Sequence, residues 1–349
     1  MSENIKPDIR KFSSDEIKTS LTEMGEPSFR ARQIYEWLWQ KSAHSFEEMT
    51  NISKSLRQIL NEKFIINAIK TDKVQKSADG TIKTRFTLHD GHKIESVLIP
   101  VPEDHRFTVC VSTQVGCSLT CKFCATGQMK RVRNLDGAEI YDQFVLVNKQ
   151  CLETFGHPLT NVVYMGMGEP LLAYNSTLES ISLLTGTDGL NISPKRITVS
   201  TAGIAKMIRK LADDEVKFNL AISLHAADDV KRNEIMPINE QNNLEALMEA
   251  LIYFDEKTGN KISYEYIAFQ NFNDSIEDAK NLVKLCKSFP VKVNIIEYNP
   301  IDGSDYIKAD DDKINKFAQY LRLKDIMVTV RRSRGKDIDA ACGQLANKE

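Results

Sequence analysis

Beyond Arg106 the chain alternates short, apolar, β-rich runs with helical segments, and no other feature restricts its topology so far. The runs are residues 107–112, 162–165, 197–200, 218–223, 262–267 and 291–296, and a further run, 327–330, follows the last helix. Strands joined through helices pair in parallel, because a parallel pair needs a long crossover connection. About six βα units predict an α/β fold whose sheet closes partly or wholly into a barrel. Such barrels present their functional groups at the C-terminal ends of the strands. Whatever chemistry the chain carries is therefore expected where these runs stop.

The segments before that point read differently. Ser13 and Glu16 fit a capping box, with Ile17, Leu21 and Met24 following at helical spacing before Gly25. A second helix is expected from near Pro27, carrying Phe29, Ile34, Leu38 and both tryptophans, Trp37 and Trp39, and a third holds Leu56, Ile59 and Leu60. Residues 1–72 thus predict a helical accessory domain, on which Arg30, Arg32 and Lys41 fit a solvated basic face better than a partner surface. From 73 to 102 the period is two, with hairpin turns at Asp79-Gly80 and Asp90-Gly91. In this small β element Ile82, Thr84, Phe86 and Leu88 form one apolar face, and Thr81, Lys83, Arg85 and Thr87 a polar one. Residues 103–349 form the βα core.

With 349 residues, 42% of them apolar and 27% charged, the chain has the makeup of a globular protein and not of a disordered one. No stretch approaches the ~20 apolar residues of a membrane span. Met1 to Lys11, polar and acid-containing, reads as neither a secretory signal nor a transit peptide, so a cytoplasmic location and no membrane partner are expected. A net charge of −2 provides no global attraction for a polyanion, which leaves that role to local patches.

Cys117, Cys121 and Cys124 stand at the spacing C-x-x-x-C-x-x-C, directly after the first barrel run. Such a loop offers three thiolates and no fourth. Thiolates suit iron–sulfur clusters and zinc, and a four-iron cubane on three cysteines keeps one iron open for a substrate. Closed zinc sites come as paired CxxC knuckles or Cys/His quartets, and the chain has no second knuckle. Seven cysteines, an odd and clustered set, do not form a disulfide framework of the secreted kind.

Other strand ends carry small polar groups. The second run ends in Gly166, Met167, Gly168, Glu169 and Pro170, where glycine lets backbone approach a ligand; an ordinary turn with an exposed acid is the plainer reading. Ser200 ends the third run, Ser223 and His225 the fourth, and Asn299 with Pro300 the sixth. Together they offer a polar cofactor its hydrogen bonds, although a lone His225 is equally a satisfied structural histidine. Glu95, isolated in the apolar stretch 94–100, faces solvent on alternate positions or, if buried, is a candidate base. Cys342, flanked by Ala341 and Gly343, and Cys110, within the first run, read as small core residues or as reactive thiols. Cys151 and Cys286 sit in helical segments as structural residues.

The cysteine loop, the turn Met165–Pro170, Ser223-Leu224-His225, and residues 337–345 around Cys342 together resemble the radical-SAM adenine methyltransferases, most nearly the RlmN family. That family methylates carbon 2 of adenosine in large-subunit (23S) ribosomal RNA and in some transfer RNAs. The resemblance is strong over about residues 73–349 and looser in the helical N-terminus. It implies a partial (β/α)6 radical-SAM barrel with a [4Fe-4S] cluster on Cys117, Cys121 and Cys124. It also implies two S-adenosylmethionine molecules per turnover, with Gly168, Glu169, Ser200, Ser223, Leu224, His225 and Asn299 matching the binding positions. Cys342 matches the cysteine that becomes S-methylated, Cys110 its partner in a transient disulfide, and Glu95 the position regarded as proton acceptor.

In the family scheme one S-adenosylmethionine methylates Cys342, and a second is cleaved to a 5′-deoxyadenosyl radical that takes hydrogen from that methyl group. The carbon radical adds to the base, and proton loss with thiol attack releases methylated RNA and leaves a disulfide. Whether Glu95 or Cys110 takes the carbon 2 proton stays open at the level of sequence. Two basic runs, Lys130, Arg131 and Arg133, and Arg331, Arg332, Arg334 and Lys336, are expected to neutralise RNA phosphates on the catalytic rim. A flavodoxin or ferredoxin system as electron donor and a monomeric state are further expectations. Two alternatives remain: carbon 8 methylation by the sister group, against which Pro170 argues, and a non-catalytic RNA-binding protein with a zinc-stabilised loop.

Overall fold

Local capping decides where the first helix begins. In the computed structural model, which describes residues 6–348, the Ser13 N–H donates to the Glu16 carboxylate at 2.7 Å and the Glu16 N–H to the Ser13 hydroxyl at 3.3 Å. This box heads α1 (Ser14–Glu23), and α2 (Phe29–Trp39) and α3 (Lys54–Lys63) follow. Ile17, Leu21, Ile34, Leu38, Leu56 and Leu60 are buried in the same core as the sheet. A buried ion pair fastens the helical unit to that core: the Arg10 guanidinium donates two 2.9 Å bonds to Asp142 and one of 2.7 Å to the Asn67 carbonyl. A charge taken out of water costs several kcal/mol, so the multiple acceptors are what make Arg10 tolerable there.

β1 (Lys70–Lys76), β2 (Ile82–Thr87) and β3 (Lys93–Val101) form an antiparallel meander whose last strand pairs with β4 (Arg106–Cys110). The β element foreseen at 73–102 is thus an antiparallel extension of the main sheet. Its expected polar face differs from the structure as well. Lys83 and Arg85 are only 4% and 6% exposed, because the C-terminal tail crosses that face. Lys83 Nζ donates to the Asp339 carbonyl at 3.3 Å and Arg85 to the Lys348 carbonyl at 2.9 Å. Alternating charge in a strand usually signals water; here, tail carbonyls replace it.

A short pair, β5 (Gln114–Val115) with β6 (Arg133–Asn134), brackets the cysteine loop. The chain then runs α4 (Gly137–Phe155), β7 (Asn161–Tyr164), α5 (Tyr174–Thr185), β8 (Ile197–Thr201), α6 (Ala205–Asp213), β9 (Asn219–Ser223), α7 (Asp229–Ile235) and α8 (Leu244–Thr258). It continues with β10 (Ile262–Ala268), α9 (Ile276–Leu285), β11 (Val291–Glu297), α10 (Asp311–Arg322) and β12 (Met327–Arg331). Among the described residues the sheet order is β1-β2-β3-β4-β7-β8-β9-β10-β11-β12, with β4 and all later members parallel. The six βα units are present and β12 follows as the seventh parallel strand. β1 and β12 pair with only one neighbour each, so the barrel is partial and open. Val109, Val162, Val199, Leu220, Tyr264 and Val293, one per strand, are buried in the main core. Among the described residues, no helix is long and apolar enough to cross a membrane.

Candidate active site

The parallel strands end on one rim, and the loops leaving that rim enclose a cavity of about 940 Å³ including its open mouth. Cys117, Cys121, Cys124, Gly168, Glu169, Ser200, Ser223, His225 and Cys342 all line it. Nine of the residues singled out in sequence, spread from 117 to 342, therefore meet in one place.

The cysteine loop is held by partners from distant segments. The Lys122 N–H donates to the Ile235 carbonyl at 3.0 Å, the Ala125 N–H to the Gly343 carbonyl at 2.7 Å, and the Thr126 hydroxyl to the Leu345 carbonyl at 2.6 Å. Phe123 packs edge-on against His225 with ring centroids 4.7 Å apart and also touches Phe269. With Leu119, Ala226, Ile235, Met236 and Tyr298 these form a second apolar cluster under the loop, which excludes water from one side of the thiols. Burial pushes the Cys117 thiol up to about 11 and raises Cys121 and Cys124 as well. Such thiols become ligands only beside a bound electropositive group. Among the described residues no three His, Cys, Asp or Glu side chains are grouped to share a single metal ion. Three soft donors spaced around a cavity fit the corners of a polynuclear iron–sulfur cluster better than a zinc ion.

Opposite the loop, Gly168 adopts a φ of +98°, and a Cβ there would lie 2.5 Å from that of Gln114, so only glycine fits. This turn presents Glu169, 4% exposed, whose carboxylate accepts the N–H groups of Ala202 at 2.8 Å and Leu171 at 3.0 Å. Burial nevertheless wins over these bonds and pushes the acid up to about 6. The exposed acid of the plainer reading is thus a buried one. The Ser200 and Ser223 hydroxyls lie 3.5 Å apart on neighbouring strand ends. His225, with φ of +56°, accepts the Ile267 N–H on Nδ1 at 3.1 Å, and burial holds its pKa down to about 3. It is a fixed neutral imidazole with the remaining proton on Nε2.

Cys342 keeps accessible surface because it faces the open cavity, yet enough protein surrounds it to raise its thiol, against which nearby Arg331 works. Asn299 donates to the Cys342 carbonyl at 3.3 Å and so reaches the site through the tail. Cys110 does not line the cavity. It is buried on β4, its thiol raised first by that burial and then by the proximity of Cys342. Leu224 is a core residue whose backbone turns the chain after β9. Glu95 is also outside the lining, 1% exposed and paired with Lys83 at 3.4 Å.

Two site groups escaped the sequence reading. Glu265 lines the cavity from mid-β10, facing Ser223 and Asn294 on the flanking strands and ion-paired to Arg331 at 3.6 Å. Its one signal was an acid inside an apolar parallel strand. Arg232, fully buried, donates to the carbonyls of Leu224 at 3.1 Å, Ala202 at 2.6 Å and Ser223 at 3.3 Å, fixing the ends of β8 and β9. The two basic runs are partly consumed internally: Arg133 pairs with Glu139 and Asp90, Arg332 and Lys336 with Glu297, and Arg334 with Glu103.

Comparison with known proteins agrees with this geometry. Residues 8–66 match the family described as the ribosomal RNA large subunit methyltransferase N-terminal domain, and residues 111–286 match the radical SAM superfamily. A Cytophaga hutchinsonii protein named "Probable dual-specificity RNA methyltransferase RlmN" is 57% identical, over 98% of this chain and 93% of its own. The "Dual-specificity RNA methyltransferase RlmN" of Nautilia profundicola is 43% identical, over 97% of this chain and 99% of its own. The crystal structure of a radical SAM methyltransferase from Sphaerobacter thermophilus superposes with a TM-score of 0.92 at 38% identity, covering 98% of this chain and 100% of that one.

Proposed function

Because the chain belongs to the RlmN family of dual-specificity RNA methyltransferases, within the radical SAM superfamily, we propose that it methylates carbon 2 of adenosine in 23S ribosomal RNA and in tRNA. Cys342 is the methyl carrier in this reading and Cys110 the thiol that releases the product. The observation that carries it is that Cys342 lines the same cavity as Cys117, Cys121 and Cys124.

Cys117, Cys121 and Cys124 would hold a [4Fe-4S] cluster. Gly168, Glu169, Ser200, Ser223 and His225 line the space for S-adenosylmethionine, two molecules of which are used per turnover, and Leu224 and Asn299 would contribute through the backbone they turn or hold. When bound, the cluster supplies the electron that cleaves the sulfonium. The chain's own groups do the rest. The Glu169 carboxylate accepts from an ammonium, and Ser200 and Ser223 hydrogen-bond hydroxyl or carboxylate oxygens. His225 donates from Nε2 without changing charge. Cys342 loses its thiol proton on accepting a methyl group. Later, the Cys110 thiolate attacks that sulfur, the methylene–sulfur bond breaks toward carbon and the methylene takes up a proton to become the methyl group, while carbon 2 gives up its proton and the adduct its unpaired electron to the redox centre the three cysteines would hold. The disulfide left behind must be reopened by an external reductant. Of the two candidates for the carbon 2 proton, Cys110 is close enough to Cys342 to feel its charge, whereas Glu95 is already engaged by Lys83. A flavodoxin or ferredoxin type donor, a monomeric enzyme and a cytoplasmic location complete the reading.

Pro170, after Gly168-Glu169, supports carbon 2 over carbon 8. Mass spectrometry of nucleosides from ribosomal and transfer RNA fragments treated with reconstituted enzyme tests it. 2-Methyladenosine is expected, and 8-methyladenosine without it overturns the assignment.

A further inference from the structure

The tail that carries Cys342 is seated on the antiparallel extension by an unusual set of contacts, most of them from side chains to tail backbone. Asp79 accepts the Gly335 N–H at 2.9 Å, and the Asp337 carboxylate accepts the Ser77 hydroxyl at 2.5 Å and the Ala78 N–H at 3.2 Å. Beyond Cys342, Glu95 accepts the N–H groups of Ala346 at 3.0 Å and Asn347 at 3.1 Å on one carboxylate oxygen. Its other oxygen faces Lys83 Nζ at 3.4 Å, and Lys83 in turn donates to the Asp339 carbonyl. Arg85 donates to the Asn347 and Lys348 carbonyls, and Asn347 donates to the Lys93 carbonyl at 2.7 Å. The reactive cysteine is thus bracketed, with Gly343 and Leu345 tied to the cysteine loop and the residues on either side tied to the β extension.

We propose that Glu95 is a positioning residue: with Lys83 it clamps the backbone of Ala346 and Asn347, and this clamp places Cys342 for methylation. Three observations point this way. The Glu95 side chain is 1% exposed and does not line the cavity. Both of its oxygens are occupied, one by two N–H groups and one by a cation. The groups it holds are the backbone of the segment that must keep Cys342 in reach of two different partners, and a misplacement of about 1 Å is enough to cost about a hundredfold in rate. A base for carbon 2 needs the opposite: a free oxygen directed at substrate.

The inference rests on Cys342 being the methyl carrier, and the test separates the two. Reconstituted enzyme is incubated with S-adenosylmethionine without RNA, and S-methylation of Cys342 is read by peptide mass spectrometry. RNA is then added and covalent adduct is scored on denaturing gels. An unmethylated Cys342 in the wild type defeats the carrier reading itself. With the wild type methylated, Glu95→Ala is expected to lose at least about tenfold in Cys342 methylation, the scale of two charge-assisted hydrogen bonds. A chain stopped after Leu345 behaves in the same way. Glu95→Gln keeps an acceptor for both N–H groups but cannot serve as a base, so it restores methylation and turnover. Iron content and charge-transfer absorption stay at wild-type levels in all three variants, which distinguishes a displaced tail from a collapsed site. Normal methylation in Glu95→Ala or in the shortened chain overturns the proposal, as does a Glu95→Gln enzyme that fails like Glu95→Ala. Normal methylation with accumulated RNA adduct in both Glu95 variants makes Glu95 the base instead.

Discussion

Substituting Glu169 by glutamine separates the two roles of a buried acid. Raising a carboxyl from its ordinary 4.5 to about 6 amounts to about 2 kcal/mol against the charged form at neutral pH, and the amide of E169Q is free of that penalty. The substitution also gives something up. The carboxylate uses both oxygens, one for Ala202 and one for Leu171, whereas an amide turns an NH2 toward one of those N–H donors, at a cost of about 1–3 kcal/mol. The two effects nearly cancel, so E169Q is expected to unfold within about 1 kcal/mol of the wild type. S-Adenosylmethionine binding has no such compensation. Losing the anionic partner of an ammonium in a water-poor site costs about 2–5 kcal/mol, or at least about thirtyfold in Kd.

The sign of the pH dependence follows from the raised acid. Folding favours its protonated form relative to the unfolded chain, so the stability it contributes is present below 4.5 and is lost as pH rises through about 6. Binding requires the charged form, so wild-type affinity falls about tenfold per pH unit below about 6, while E169Q stays flat. Equilibrium dialysis under anaerobic conditions at several pH values, with thermal unfolding of the same samples, measures both. An E169Q Kd within about threefold of the wild type, or the same pH slope in both proteins, refutes the assignment of Glu169 to the ammonium.

Cys110→Ala is expected to accumulate an RNA–protein adduct that nuclease removes on denaturing gels, since release lacks its second thiol, whereas Cys342→Ala forms no adduct and no product. Lys130→Ala weakens RNA binding and lowers the slope of log affinity against log salt by about one. Arg133→Ala, which breaks the pairs with Glu139 and Asp90, acts on thermal stability in addition to RNA affinity. Arg232→Met leaves three strand-end carbonyls without their donor and is expected to cost about 3–5 kcal/mol in unfolding, read as a fall in midpoint; an unchanged midpoint contradicts the bracing role.

The parallel half of the sheet was legible because its runs are apolar on both faces and spaced by helices, a pattern that physics leaves few ways to arrange. The cysteine loop was legible from spacing alone. The convergence of Cys342 on that loop was not, since nothing local in residues 337–345 says where the tail lies; only the resemblance supplied it. The β extension was read correctly as strands and incorrectly as two-faced, because the tail that buries Lys83 and Arg85 comes more than 250 residues later in the chain. Glu265 and Arg232 were missed for a related reason. An acid in an apolar strand and an arginine on a short helix gain meaning only from carbonyls and cavities that other segments bring.

The seating of the tail also sets an order of assembly. Residues 333–348 follow every element they touch, from Ser77 on the first hairpin to Pro300 after β11. During synthesis the β extension, the cysteine loop and the six βα units are made while the cavity still lacks the wall formed by Cys342 and Gly343. The cavity is therefore widest before residues 333–348 dock. The contacts that close it span about 220–260 residues and have the slow loop closure of distant pairs. Cys342 thus joins the cavity only after the cysteine loop it shares that cavity with has been made.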